Sequence, residues 1–224
     1  MTDLGNRRPL KSRSTGWAKA FARALAKAGV TPDLISFAGI LFAAVGCALL
    51  LYSDLIEGAC RAAALILAGV CVQLRLMCNL LDGMVAVEHA KGSPYGPIWN
   101  ELPDRIADAL LLVGAGYAAA TACDLAPAVG WLATALAILT AYVRELGRGL
   151  GFDADFCGPM AKPHRMAALT AACAVAAAEP LWGWRGEALF IGLAIIAAGT
   201  ALTAARRTLR LAKALKAKNP TSLG

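Results

Sequence analysis

Asn79, Asp82, Asn100, Asp104 and Asp108 are the residues of this chain whose types and spacing suit chemistry. They fall in one stretch, NLLDGMVAVEHAKGSPYGPIWNELPDRIAD, set among apolar runs. Asn79 and Asp82 are three positions apart, and Asn100, Asp104 and Asp108 are four apart, so on helices each set projects from one face. Two such faces meeting would gather the side-chain oxygens that a hard cation needs. Mg²⁺ takes oxygen ligands and is shared between a few carboxylates and substrate phosphates, which points to a metal site for a pyrophosphate-bearing molecule. Gly83 and Ala86 leave space beside Asp82 for a flat ligand, and Gly96 ends a short loop that holds Ser93 and Pro94. Asn100 is read as the cap of the next helix, with Pro103 in its first turn and Asp104 near the positive end of its dipole. The competing reading is a satisfied buried polar network, set against the rule that ionisable groups at membrane depth are costly and by default functional.

Hydrophobic residues make up 58% of the 224 positions and charged ones 17%, the balance of a polytopic membrane protein. A crossing takes about 20 helical residues. Six runs qualify, at 34–52, 60–81, 106–123, 126–143, 166–178 and 189–205. The fifth is short, is closed by Glu179 and Pro180, and has its start nearer Pro163. Ahead of them Trp17, Ala18, Phe21, Ala22, Leu25 and Ala26 recur at helical spacing with Lys19, Arg23 and Lys27 between, as in a helix lying on a membrane surface and ending near Gly29. The fold class expected is therefore all-α and integral to the membrane: six transmembrane helices preceded by an N-terminal amphipathic surface helix. One domain covers residues 1–224, with a cytoplasmic N-terminal region at 1–33 and a basic cytoplasmic tail at 206–224.

Orientation follows from the cations. Arg7, Arg8, Lys11, Arg13, Lys19, Arg23 and Lys27 precede the first run, and Arg206, Arg207, Arg210, Lys213, Lys216 and Lys218 follow the last. The loops after runs one, three and five offer little beyond Arg61 and Arg185, so both termini and the candidate site are expected on the cytoplasmic side. The net charge of +7 flanks membrane runs without an aromatic-rich basic groove, which points to anionic lipid headgroups and away from nucleic acid. Residues 1–15 are polar, so no cleavable signal peptide is expected. Cys47, Cys60, Cys71, Cys78, Cys123, Cys157 and Cys173 form no CxxC pair and read as small packing residues.

A second polar cluster follows the fourth run: Arg144, Glu145, Arg148, Asp153, Asp155, Lys162, His164 and Arg165. Two readings stay open. It is either positive-inside anchoring, or a pocket in which Arg144, Arg148, Lys162 and Arg165 hold an anionic acceptor, arginine being suited to bidentate phosphate contact. His164 and His89 are read as a local hydrogen-bonding residue and a solvated loop residue.

The stretch resembles the CDP-alcohol phosphotransferases, whose signature is D-x2-D-G-x2-A-R-x8-G-x3-D-x3-D. Here Asn79, Asp82, Gly83, Ala86, Val87, Gly96, Asn100 and Asp104 stand at those positions with every spacing kept. The segment VTPDLISFAGI at the first run and the count of six runs look like the same family. The resemblance implies a six-helix fold, usually a homodimer, in which an alcohol attacks a metal-bound CDP-linked donor and CMP leaves. It makes Asp82 a metal ligand and Asp104 both ligand and general base, with Mg²⁺ or Mn²⁺ as cofactor. Asn79 and Asn100 fill the first and third acidic positions, Asp108 is a further candidate ligand or a neighbour that supports the others, and Gly83, Ala86 and Gly96 border the nucleotide. The implied donor is CDP-diacylglycerol or a related CDP-alcohol. The implied acceptor is a small polar alcohol, in phospholipid biosynthesis at a prokaryotic inner or cell membrane. The two asparagines, and Val87 in place of the motif arginine, leave a rival: a family member without catalysis that binds nucleotide-lipid or a partner. A small transporter is a further rival, without the inverted repeat or paired broken helices that would support it.

Overall fold

The computed structural model describes residues 15–88 and 95–218. Arg7, Arg8, Lys11, Arg13, His89, Ser93 and Pro94, together with the side chains of Val87, Glu88, Pro97 and Asn100, lie outside the described residues. Seven α-helices follow in order: α1 (Gly16–Lys27), α2 (Pro32–Leu55), α3 (Gly58–Glu88), α4 (Gly96–Ala118), α5 (Ala126–Gly149), α6 (Lys162–Ala178) and α7 (Glu187–Lys218), with a 3₁₀ turn at Glu179–Leu181. Among the described residues there is no strand. By length and composition α2, α3 over Gly58–Ala86, α5 and α7 can each cross a membrane. α4 carries Glu101, Asp104, Arg105 and Asp108 in its first half, and α6 has 17 residues.

The distribution of side-chain sizes follows from packing in lipid. The interior is dominated by alanine, including Ala43, Ala68, Ala115, Ala133 and Ala137, whereas Leu41, Val45, Leu67, Trp131 and Leu132 face outward. Hydrophobic burial cannot drive helices together in hydrocarbon, so close approach over small residues does it instead, and the large apolar residues are left to meet lipid. This is the arrangement of a membrane protein. α4 crosses α5 where a Cβ on Gly116 would stand 2.8 Å from the Ala126 carbonyl and 3.1 Å from the Gly130 Cα. Cys47 fills the same role on α2, its sulfur lying 2.9 Å from where a Cβ on Gly114 would be. All seven cysteines are free thiols.

Helix ends follow their local sequence. Gly29 adopts φ +80°, a conformation open to glycine, and ends the turn after α1. Thr31 then caps α2, its side chain accepting from the Leu34 amide at 3.3 Å, with Pro32 at the first helical position. α4 departs from the sequence expectation. It starts at Gly96, its N-terminal flanking residue is Tyr95, and Pro103 lies inside it. Pro97, whose fixed φ suits a first turn, starts the helix a turn earlier than Asn100, so Asn100 is no cap and Asp104 sits beyond the dipole's reach.

α1 splits its apolar residues between two faces. Ala18 and Ala22 are fully buried in a cluster with Ile35 of α2 and Leu80, Leu81, Met84 and Val85 of α3, while Trp17, Phe21, Lys19, Arg23 and Lys27 are exposed. At the opposite end of the bundle, Glu179 is fully buried. It accepts from Arg61 Nη2 at 3.2 Å and from the Gly186 and Ala188 amides at 2.7 Å, tying α3 to the start of α7.

Overpacking a close crossing costs about 1–3 kcal/mol, so Gly116→Ala should lower the thermal midpoint in detergent. Gly149→Ala, in a helix but with nothing within 4 Å of the new Cβ, should leave it unchanged.

Candidate active site

α2, α3 and α4 meet around one pocket, lined by Ser36, Gly39, Arg75, Cys78, Asn79, Asp82, Pro103, Asp104 and Ala107. Three of the residues singled out by spacing, Asn79, Asp82 and Asp104, are thus brought together from two helices. α3 runs unbroken to Glu88, which keeps Asn79 and Asp82 on one face, and Gly39 lets α2 close on α3, its Cβ position lying 3.4 Å from Cys78 Cβ. Asp82 is buried, with Ser36 Oγ donating to its Oδ2 at 2.7 Å and the Gly83 amide to its Oδ1 at 2.5 Å.

Asp104 is held by three donors. Asn79 Nδ2 donates to its Oδ1 at 3.1 Å, Arg75 Nη2 donates to the same oxygen at 3.2 Å, and Lys162 Nζ pairs with Oδ2. Burial pushes the Lys162 ammonium down, to about 8, and Arg75 beside it pushes the same way against the pull of Asp104 and Asp108.

Arg75 escaped the reading by motif. It is 1% exposed. Its Nη2 also donates to the Asp104 carbonyl at 3.1 Å and to Asp108 Oδ1 at 2.9 Å. Asp108, likewise 1% exposed, accepts at its other oxygen from Arg165 Nη2 at 2.9 Å, and Arg165 Nη1 donates to the Met160 carbonyl at 3.2 Å. The signal was present: Arg75 is a cation deep in an apolar run, one turn before Asn79 and on its face.

The other predicted positions scatter. Asp108 lies between two guanidinium groups. Arg165 is buried beneath Asp108 and does not line the pocket. Arg144 pairs with Glu101 at 2.5 Å and Glu145 at 2.8 Å and stands over the Phe156 ring, and half-exposed Arg148 pairs with Glu145 at 2.9 Å. Of the four basic residues grouped as an acceptor pocket, Lys162 alone contacts a pocket-lining carboxylate. Gly83 lies beside Asp82, Ala86 follows on α3, and Gly96 opens α4 with nothing near its Cβ position. His164 is exposed. Among the described residues no three Asp, Glu, His or Cys side chains form a metal-holding group; the site offers two carboxylates and an amide.

No family model matches the chain. It is 34% identical over 137 residues to the bifunctional IPC transferase and DIPP synthase of Rubrobacter xylanophilus, covering 56% of this chain and 29% of that protein. It is 28% identical over 155 residues to the phosphatidylinositol phosphate synthase of Mycolicibacterium smegmatis, covering 66% of this chain and 64% of that one. The chain thus spans less than two thirds of the length of either relative. The crystal structure of Mycobacterium tuberculosis phosphatidylinositol phosphate synthase with CDP-DAG bound superposes with a TM-score of 0.71 at 20% identity, over 87% of this chain and 92% of that chain. These relatives are CDP-alcohol phosphotransferases, and the chain is similar to them in sequence and in fold. Asn79, Asp82 and Asp104 keep the spacing of the first, second and fourth acidic positions of the signature the sequence resembles, and all three line the pocket.

Removing one member of a buried ion-paired set strands its partners, at about 3–5 kcal/mol. Asp108→Asn, which leaves Arg75 and Arg165 short of a charge, should therefore depress the thermal midpoint strongly. Asp82→Asn removes a carboxylate that has only neutral donors at its oxygens among the described residues, and should change stability by about 1 kcal/mol or less.

Proposed function

We propose that the protein transfers a phosphatidyl group from CDP-diacylglycerol, or a related CDP-alcohol, to the hydroxyl of a small polar acceptor with release of CMP. The observation that carries this reading is the convergence of Asp82 and Asp104 on one pocket, at the motif spacing. The relatives' names agree: the Mycolicibacterium smegmatis and Mycobacterium tuberculosis proteins are phosphatidylinositol phosphate synthases, and the latter is described in one crystal structure with CDP-DAG bound and in another with manganese and citrate.

The donor set fits one hard divalent cation, Mg²⁺ or Mn²⁺. Asp82, Asp104 and the Asn79 carbonyl supply oxygen, and one or two carboxylates completed by substrate phosphate is a common Mg²⁺ arrangement. When bound, the cation would neutralise the pyrophosphate and the leaving CMP oxygen. Asp104 takes the proton of the acceptor hydroxyl as that oxygen attacks the phosphorus bearing the lipid alcohol, and the bond from this phosphorus to the CMP oxygen breaks. Lys162 and Arg75 hold the Asp104 carboxylate in place between turnovers. Gly83, Ala86 and Gly96 give the nucleotide room.

Lys162, the one residue of that basic group in contact with a pocket-lining carboxylate, favours a phosphorylated acceptor, in line with the names of the relatives. Arg165 leaves that group and works from beneath, by fixing Asp108. The reading extends to the whole molecule: six helices in the membrane, α1 on its cytoplasmic surface, both termini cytoplasmic and two copies per assembly. A specialised site is favoured over a silent one because Asn79 donates a hydrogen bond to Asp104 that an ionised Asp cannot.

Purified protein given CDP-diacylglycerol, Mg²⁺ or Mn²⁺ and a panel of acceptors should release CMP. Asp104→Ala should slow that release by about 100- to 10,000-fold, the usual worth of a positioned acid–base group. Absence of CMP with every acceptor, or full activity in Asp104→Ala, counts against the mechanism. The pair Asn79→Asp and Asn100→Asp should lower activity; activity that arises only in this double variant would favour the silent binder.

A further inference from the structure

Three carboxylates, Asp82, Asp104 and Asp108, meet three cations, Arg75, Lys162 and Arg165, where α3, α4 and α6 come together. Their charges sum to zero. Among the described residues the next ring outward is no more negative, since Glu101 is shared by Arg105 and Arg144, and Glu145 by Arg144 and Arg148. With asparagine at two of the four acidic motif positions, the metal-binding charge has been halved while buried cations stand against what is left.

A divalent cation arriving by itself would place two positive charges in a neutral, largely buried cluster. It would also have to displace Arg75, Lys162 or the Asn79 amide from Asp104. Both steps are unfavourable where charge is poorly solvated. A pyrophosphate removes the first obstacle, because it carries the negative charge that the protein lacks. It also has a donor waiting: Arg75 lines the pocket, and its buried Nη1 has no partner among the described residues.

We infer that the free protein does not retain a divalent cation, and that the ion enters together with the pyrophosphate of the donor, Arg75 and Lys162 serving until then as built-in cations on Asp104. This deepens the proposed function and rests on it. Arg75 is in these terms a positioning residue, and its removal should uncover a cation site that the intact protein masks.

The test is retention of Mn²⁺ by the full chain in detergent, measured by equilibrium dialysis with a water-soluble short-chain CDP-diacylglycerol that crosses the membrane freely. The protein alone should retain almost none, and the saturating nucleotide-lipid should bring retention to near one ion per chain; CMP, which lacks the pyrophosphate, should not. Arg75→Met should bind Mn²⁺ without nucleotide at least about tenfold more tightly than the unmodified chain, as expected when a buried like charge is removed. If Arg75→Met does not fold, Lys162→Met, nearer the surface, should show the same gain. Tight Mn²⁺ retention by the free protein, or equal retention with CMP, overturns the inference and leaves the proposed donor standing. Failure of the labelled nucleotide-lipid to bind with or without Mn²⁺ overturns the donor reading and the inference with it.

Discussion

The guanidinium of Arg75 is the interaction on which the rest of the structure depends. It leaves α3 one turn before Asn79, reaches Asp104 and Asp108 on α4, and through Asp108 is linked to Arg165 on α6. None of these groups tolerates the apolar interior alone, because a buried charge without its partner is far costlier than the pair. The three helices therefore have one acceptable register relative to one another, and in that register Asp82 and Asp104 face the same pocket. Alanine and glycine contacts bring the helices close; the ion pairs decide where along their lengths they stop.

The asparagines belong to the same electrostatic solution. An ionised Asp at position 79 would stand against Asp104 at hydrogen-bond distance, and like charges so close push one carboxylate to stay protonated. Asn79 instead donates to Asp104. Arg75 and Lys162 complete the balance from the other sides. Asp82 is arranged differently, held by a serine hydroxyl and its neighbour's amide, with no cation at either oxygen among the described residues. The two carboxylates thus differ in availability for the proposed cation: Asp82 would accept it while keeping its neutral donors, whereas Asp104 would have to exchange one partner for another.

Much of the fold was legible in the sequence because it is written in apolar run length. Every predicted run corresponds to a helix, and the fifth does begin near Pro163, at Lys162. The spacing of Asn79, Asp82 and Asp104 located the pocket because helical periodicity carries side-chain direction. Where the reading failed, local and tertiary signals conflict. Asn100 and Pro103 look like a helix start, but Pro97 begins the helix sooner. Arg165 looks like a solvated basic residue of an acceptor pocket. Whether it turns inward depends on Asp108 lying across from it, 57 positions away, which no local pattern records. Arg75 was open to detection from its depth in an apolar run, but it lies four positions ahead of the motif, which begins at Asn79.

The combined pattern also bears on whether the altered motif has decayed or been rebuilt. Loss of two acids by drift would leave the surrounding charges as they were, with the cations unmatched or the remaining carboxylates unpaired. Here the buried carboxylates of the network each have partners, and the counter-charges come from three separate helices: Arg75 from α3, Lys162 and Arg165 from α6, around Asp104 and Asp108 of α4. Such reciprocity requires several positions to agree, and each costs stability if it is present without the others. Asp82 and Asp104 stay on the pocket within that balance, which is what the proposed reading of a specialised site requires.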